Sequence, residues 1–135
     1  MVSLLIMDNS VESLFSLNLE ALAGLNYKCP CGRSHKVDIQ VIRMGQGVLD
    51  ELPILLKAFE AKKLFLIEDQ NTFKVAGEKV EDLLQDDFKL SRYIFSEDPL
   101  VPNERALGRL LVEIPEDTSL IVGIGSEPLM TWLGS

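Results

Sequence analysis

The chain is poor in cysteine, histidine and aromatic residues, and short of positive charge. Two Cys, one His and one Trp occur in 135 residues, and 13 Lys and Arg face 21 Asp and Glu for a net charge of −8. An acidic chain with no basic cluster is a poor partner for nucleic acid or an anionic membrane. It can still take a nucleotide, because backbone N–H groups and a helix N-terminus bind phosphate without Lys or Arg. No run of about 18 apolar residues occurs, so no membrane-spanning helix is expected. The opening stretch Met1 to Asp8 has no basic leader, and a secretory signal is not expected either. Cys29 and Cys31 stand one residue apart and would bridge only with strain, which points to a reducing cytoplasm. With His35 alone and no Gly-x-Ser-x-Gly elbow, Ser-His-Asp catalysis is set aside.

What remains is ordinary globular composition, 47% hydrophobic and 25% charged, in a length that suits one domain with a core. Asn9 or Ser10 could cap a first helix through Leu14, Phe15, Leu17, Leu19, Leu22 and Leu25, ending at Gly24 or Asn26. Val37, Ile39 and Val41 alternate with polar residues, the period of a half-buried strand. After the turn Gly45-Gln-Gly47, Val48, Leu49, Leu52, Leu55, Leu56 and Phe59 trace an amphipathic helix with Pro53 in its first turns. Leu64 to Ile67 reads as a strand covered on both faces. A helix is expected from about Phe73, carrying Val75, Val80, Leu83 and Leu84, then a strand over Lys89 to Phe95. Asn103 caps a helix through Ala106, Leu107, Leu110 and Leu111, and Leu120 to Val122 form a final strand. Strands alternating with helices predict an α/β fold with a parallel sheet and right-handed crossovers.

Three groups of residues could carry chemistry. The first is the pair of strand ends, Glu68-Asp69 and Gly123-Ile-Gly125-Ser126. Ligands collect at the carboxyl ends of strands in open α/β sheets, where an acid can accept from a ribose hydroxyl and glycines admit a pyrophosphate. The full Gly-x-Gly-x-x-Gly fingerprint is interrupted by Glu127 and Pro128, so ordinary strand-ending turns fit the spacing as well. The second is Cys29, Cys31 and His35, two thiols and an imidazole. A closed zinc site needs four ligands, usually at wider Cys spacing, and no other Cys or His exists to complete one; a turn with incidental thiols is the expectation. The third is the carboxylate pairs Asp86-Asp87 and Glu97-Asp98, which read as a solvated surface. No catalytic residue is assigned.

As an ordered set these residues resemble the N-terminal part of sn-glycerol-1-phosphate dehydrogenases, of the dehydroquinate synthase and iron-containing alcohol dehydrogenase superfamily. The matching pieces are Cys29-x-Cys-Gly-x-x-His35, Ile42-x-x-Gly-x-Gly-Val-Leu49, Leu66-Ile-Glu-Asp-Gln-Asn-Thr72 with Val75-Ala-Gly77, Val101-Pro-Asn-Glu-Arg105 and Ile121-Val-Gly-Ile-Gly-Ser126. The resemblance implies a Rossmann-like nucleotide-binding domain after an N-terminal helix. Asp69 would lie near the adenosine ribose of NAD(P), with Asn71 and Thr72 at the same edge, and Gly123, Gly125 and Ser126 would line the pyrophosphate loop. An acid at position 69 leans towards NAD. Such enzymes pass a hydride between the cofactor and dihydroxyacetone phosphate, with a zinc or nickel ion polarising the carbonyl. The family's metal ligands lie in a C-terminal helical domain, so none is expected here and this chain alone is expected to be inactive.

The expected organisation is residues 1–35 as a helix and Cys/His loop, 36–126 as the α/β domain, and 127–135 as an out-of-frame tail. The tail follows from a departure after Ser126, where Glu-Pro-Leu-Met-Thr-Trp stands in place of the family's Gly-Thr-x-x-Asp. A one-base shift can turn one into the other. The competing expectation is a stand-alone nucleotide-binding or assembly module, dimeric through exposed apolar surface.

Overall fold

The computed structural model describes residues 17–97 and 99–125. The chain divides into two compact units between Val48 and Leu49. Among the described residues no helix is long and apolar enough to cross a membrane.

In the first unit a 3-10 turn, Leu19–Leu22, is capped by Asn18, whose Oδ1 accepts from Ala21 N at 2.9 Å. Two short strands follow, β1 (Asn26–Lys28) and β2 (Ser34–Lys36), paired antiparallel with Tyr27 opposite His35. The helix expected to reach Leu25 is only that turn over its described part, and residues 9–16 lie outside the description. No residue of the turn is buried, and a short helix whose apolar face is not packed is not sustained. The alternation Val37, Ile39, Val41 also forms no strand. Pairing fades after Lys36, with Val37 N donating to Leu25 O and Gly24 N to Ile39 O, both at 2.8 Å. The neighbouring segment turns away at Gly24, whose φ is +69°. Ile39 remains 52% exposed, so the period of two is present in the sequence while Val37, Ile39 and Val41 join no buried cluster among the described residues.

The second unit is the α/β body. A 3-10 turn, Val48–Glu51, runs into α1 (Leu52–Ala58), with Pro53 in the first turn where its missing N–H costs nothing. Next come β3 (Lys63–Asp69), helix α2 over residues 70–84, β4 (Lys89–Phe95), α3 (Glu104–Glu113) and β5 (Leu120–Ile124). The sheet order is β4-β3-β5, parallel throughout. Central β3 is the most apolar strand, and its last six residues are all buried, as a strand covered on both faces must be.

Alternation along β3 divides the core. Leu64 and Leu66 join Leu56 of α1 and Val80 and Leu84 of α2 on one face. Phe65 and Ile67 join Phe95, Leu100, and Ala106 and Leu110 of α3 on the other. The crossover from β3 to β4 and the return from β4 to β5 run in opposite directions along the sheet and lie on opposite faces, as connections of one hand require. This is the small parallel α/β arrangement expected, a Rossmann-like portion with three strands.

Helix α2 starts three residues earlier than its periodicity indicates. Asp69 acts as N-cap, its Oδ1 accepting from Asn71 N at 2.9 Å and Thr72 N at 2.8 Å. Thr72 Oγ1 accepts in return from Asp69 N at 3.1 Å, closing a reciprocal capping box. An α-helical turn, Gln70–Thr72, then passes through a π-helical turn, Phe73–Gly77, before regular helix resumes over Glu78–Leu84. Val75, expected on the buried stripe, is 86% exposed. The buried positions are Gly77, Val80 and Leu84.

Candidate functional site

The strand order places the two strand ends side by side. From β3 the chain crosses to β4 on one side, and from β4 it returns past β3 to β5 on the other. The carboxyl ends of β3 and β5 therefore flank the point where the winding reverses, the usual crevice for a ligand in an open α/β sheet. The register pairs Ile67 with Gly123 and Glu68 with Ile124. Asp69, Gly123 and Gly125 are thus brought to one edge, with Asn71 and Thr72 in the first turn of α2 beside them. Ser126, the last residue expected there, lies outside the described residues.

Adjacent in sequence, Glu68 and Asp69 do different things. Asp69 is 8% exposed and holds the first turn of α2. Glu68 is 1% exposed and, following Leu64 and Leu66 by alternation, points under α2. Neither of its carboxylate oxygens has a hydrogen-bond partner. A Cβ added to Gly77 would stand 2.0 Å from Glu68 Oε2, so the π turn carries a residue without a side chain where the carboxylate sits. Burial pushes the Glu68 carboxyl above the usual carboxylate range. Arg92 pulls it back, while Glu81 and Asp69 add to the rise. Arg92 itself is ion-paired with Glu81 and stacks over the Phe73 ring at 5.1 Å.

A π turn within a helix is frequent at functional sites, and an orphaned buried carboxylate calls for an explanation. The sequence offered a partial signal for this, since Gly77 and Glu68 are visible but their meeting across helix and strand is not. A cavity of about 210 Å³ also opens beyond the carboxyl end of β4, lined by Glu97, Asn103, Arg105 and Arg109 among others. Asn103 caps α3 there, its Oδ1 accepting from Ala106 N at 3.0 Å, and Arg109 pairs with Glu97. The carboxylates read as surface behave so where described: Asp87 meets Lys57 at 2.8 Å and Glu97 meets Arg109.

The hairpin of the first unit gathers Cys29, Cys31 and His35, whose ligand atoms all lie within 4.8 Å of one another. Cys31 Sγ is 3.4 Å from His35 Nε2. Hydrogen bonds from His35 and then Cys29 pull the exposed Cys31 thiol down to about 7.

Fold and site together define a parallel α/β unit whose acceptor and glycine residues meet at a reversal of strand winding. Three curated proteins are similar to it, all named glycerol-1-phosphate dehydrogenase (NAD(P)+). That of Halalkalibacterium halodurans is 25% identical over 104 residues, covering 73% of this chain and 26% of the relative. That of Bacillus licheniformis is 24% identical over 103 residues, with the same coverage. That of Geobacillus thermodenitrificans is 22% identical over 112 residues, covering 80% and 28%. The chain spans about a quarter of the length of the curated relatives it matches. No family profile matches the chain, and no solved structure matches it. The similarity is distant and partial, and it falls on the dehydrogenases that the residue pattern resembles.

Proposed function

We propose that this chain is the dinucleotide-binding part of an oxidoreductase of the glycerol-1-phosphate dehydrogenase kind. One observation carries the reading: Asp69, Gly123 and Gly125 converge at the carboxyl edge where β3 and β5 flank the reversal of winding. Asp69 would face the adenosine ribose of NAD(P), with Asn71 and Thr72 along the same edge. Gly123, Gly125 and Ser126 would let the backbone approach the pyrophosphate. The cofactor supplies hydride chemistry when bound; these residues supply position. Reduction of dihydroxyacetone phosphate, and the zinc or nickel ion it uses, belong in this proposal to the larger enzyme. This chain alone is expected to be inactive.

The test is titration of the purified chain with NADH and NADPH, followed by calorimetry. Weak, saturable binding is expected. Asp69→Asn, which keeps a capping side chain but removes the charge, should weaken NADH about tenfold and leave the fold intact. No binding of either dinucleotide, or equal binding by the variant, would refute the assignment. A second reading, a module that assembles into a homodimer, is favoured by the outer face of α3, where Leu107, Leu111 and Val112 are 45%, 68% and 82% exposed. A monomer by light scattering at high concentration would eliminate it.

A further inference from the structure

We propose that the β1–β2 hairpin is a zinc knuckle, in which Cys29, Cys31 and His35 hold one Zn²⁺ with its fourth position open to water or an added ligand. This rests on the first unit alone and is independent of the dinucleotide reading.

The geometry is close to what the ion needs. With Zn–S about 2.3 Å and Zn–N about 2.0–2.1 Å, a tetrahedral site sets S···N near 3.5 Å and S···S near 3.8 Å. Cys31 Sγ and His35 Nε2 already stand 3.4 Å apart, and the whole set fits within 4.8 Å. Small side-chain rotations close the remainder.

The backbone holds the three ligands together by ordinary turn chemistry. Cys29 N donates to Arg33 O at 2.9 Å and Gly32 N to Cys29 O at 3.0 Å. Gly32, at φ +87°, supplies the left-handed step that turns the chain after the second cysteine. Register then sets His35 opposite Tyr27, with its Nε2 beside Cys31 Sγ. Cys31 N points at Cys29 Sγ at 3.5 Å, which ties the two cysteines together across the turn. Both thiols are free. Thiolate with imidazole is a donor set that suits zinc rather than magnesium or calcium.

The hairpin also needs a fastener. Its strands have three residues each, and no described residue of the first unit is buried. An isolated two-stranded hairpin is marginal in water, and small units are commonly held by a metal. Binding energy at such a site is folding energy for the segment around it.

The test uses the tag-free full chain, reduced and stripped with chelator, and titrated with Co²⁺ as the spectroscopic probe. We expect one Co²⁺ per chain, a cysteine-to-cobalt charge-transfer band with tetrahedral visible bands, and displacement by Zn²⁺. Cys31→Ser and His35→Ala should each weaken binding about tenfold or more. Amide exchange over residues 26–36 should slow on Zn²⁺ loading while that of β3 stays unchanged; because β3 has its own core, it also reports whether each variant is folded. Absence of the charge-transfer band overturns the proposal. So does unchanged affinity in both variants, or exchange in the hairpin that is indifferent to the metal.

Discussion

Replacing Glu68 tests whether its carboxylate is a liability to the fold. It is buried among the residues that pack α2 onto the sheet, and neither oxygen is hydrogen-bonded. A buried polar group left unpaired costs about 1–3 kcal/mol, and a charged one more. Glu68→Met keeps an unbranched chain of similar length under Gly77 and removes the polar atoms. We expect it to stabilise the chain by about 1–3 kcal/mol at pH 8. With a urea slope of about 2 kcal/mol/M, the unfolding midpoint by far-UV circular dichroism should rise by about 0.5–1.5 M. Glu68→Gln removes only the charge and should recover part of that gain. The pH dependence has a definite sign. The folded-state pKa is raised above the ordinary value, chiefly by burial, so the folded chain binds the proton more tightly than the unfolded one. The stability this proton provides is complete below the unfolded value of about 4.3 and is lost as pH rises through the folded one. The advantage of Met over the native residue should therefore shrink towards acid pH. A Met variant less stable than the native chain at pH 8, or a difference that ignores pH, would refute the reasoning.

Gly77→Ala tests the same contact from the helix side. Alanine gains up to about 1 kcal/mol of helix propensity, but its Cβ meets Glu68 Oε2 at 2.0 Å and the Phe73 ring at 2.8 Å. Overpacking of about 1–3 kcal/mol should win, giving net destabilisation by urea unfolding. Pairing it with Glu68→Ala should relieve part of the loss, and strict additivity of the two changes would count against direct contact. Ser119→Ala tests the clip at the start of the sheet. Ser119 Oγ accepts from Lys62 N and Lys63 N, each at 2.9 Å, and donates to Lys63 O at 2.8 Å. Since the site is exposed, a loss of about 0.5–1.5 kcal/mol is expected, with faster amide exchange at Lys62 and Lys63; protection equal to the native chain would show that water replaces the hydroxyl.

The α/β body could be read from the order of residues alone. A short continuous apolar run bounded by polar residues suits a strand covered on both sides, and Leu64 to Ile67 lies at the centre of the sheet. Asn103 ahead of a helical stripe marked the start of α3 because a side-chain oxygen at that position satisfies an amide the helix leaves open. The residues of the candidate edge were visible as two strand ends, although ordinary turns fit their spacing as well, and only the order β4-β3-β5 set the two ends side by side. The start of α2 was legible in Asp69-x-x-Thr72, though apolar periodicity pointed three residues downstream. Tertiary structure decided the rest. Periodicity reports which face of a segment is apolar, not whether a core exists to receive it, so Val37, Ile39 and Val41 kept the strand period without forming a strand. Whether an acid is buried or engaged depends on neighbours from other elements. Only the packing of α2 on β3 separated Glu68, sealed against Gly77, from Asp69, turned to cap a helix. The meeting of Cys29, Cys31 and His35 likewise required the hairpin register, because spacing fixes how far apart residues lie along a chain while pairing fixes which of them face one another.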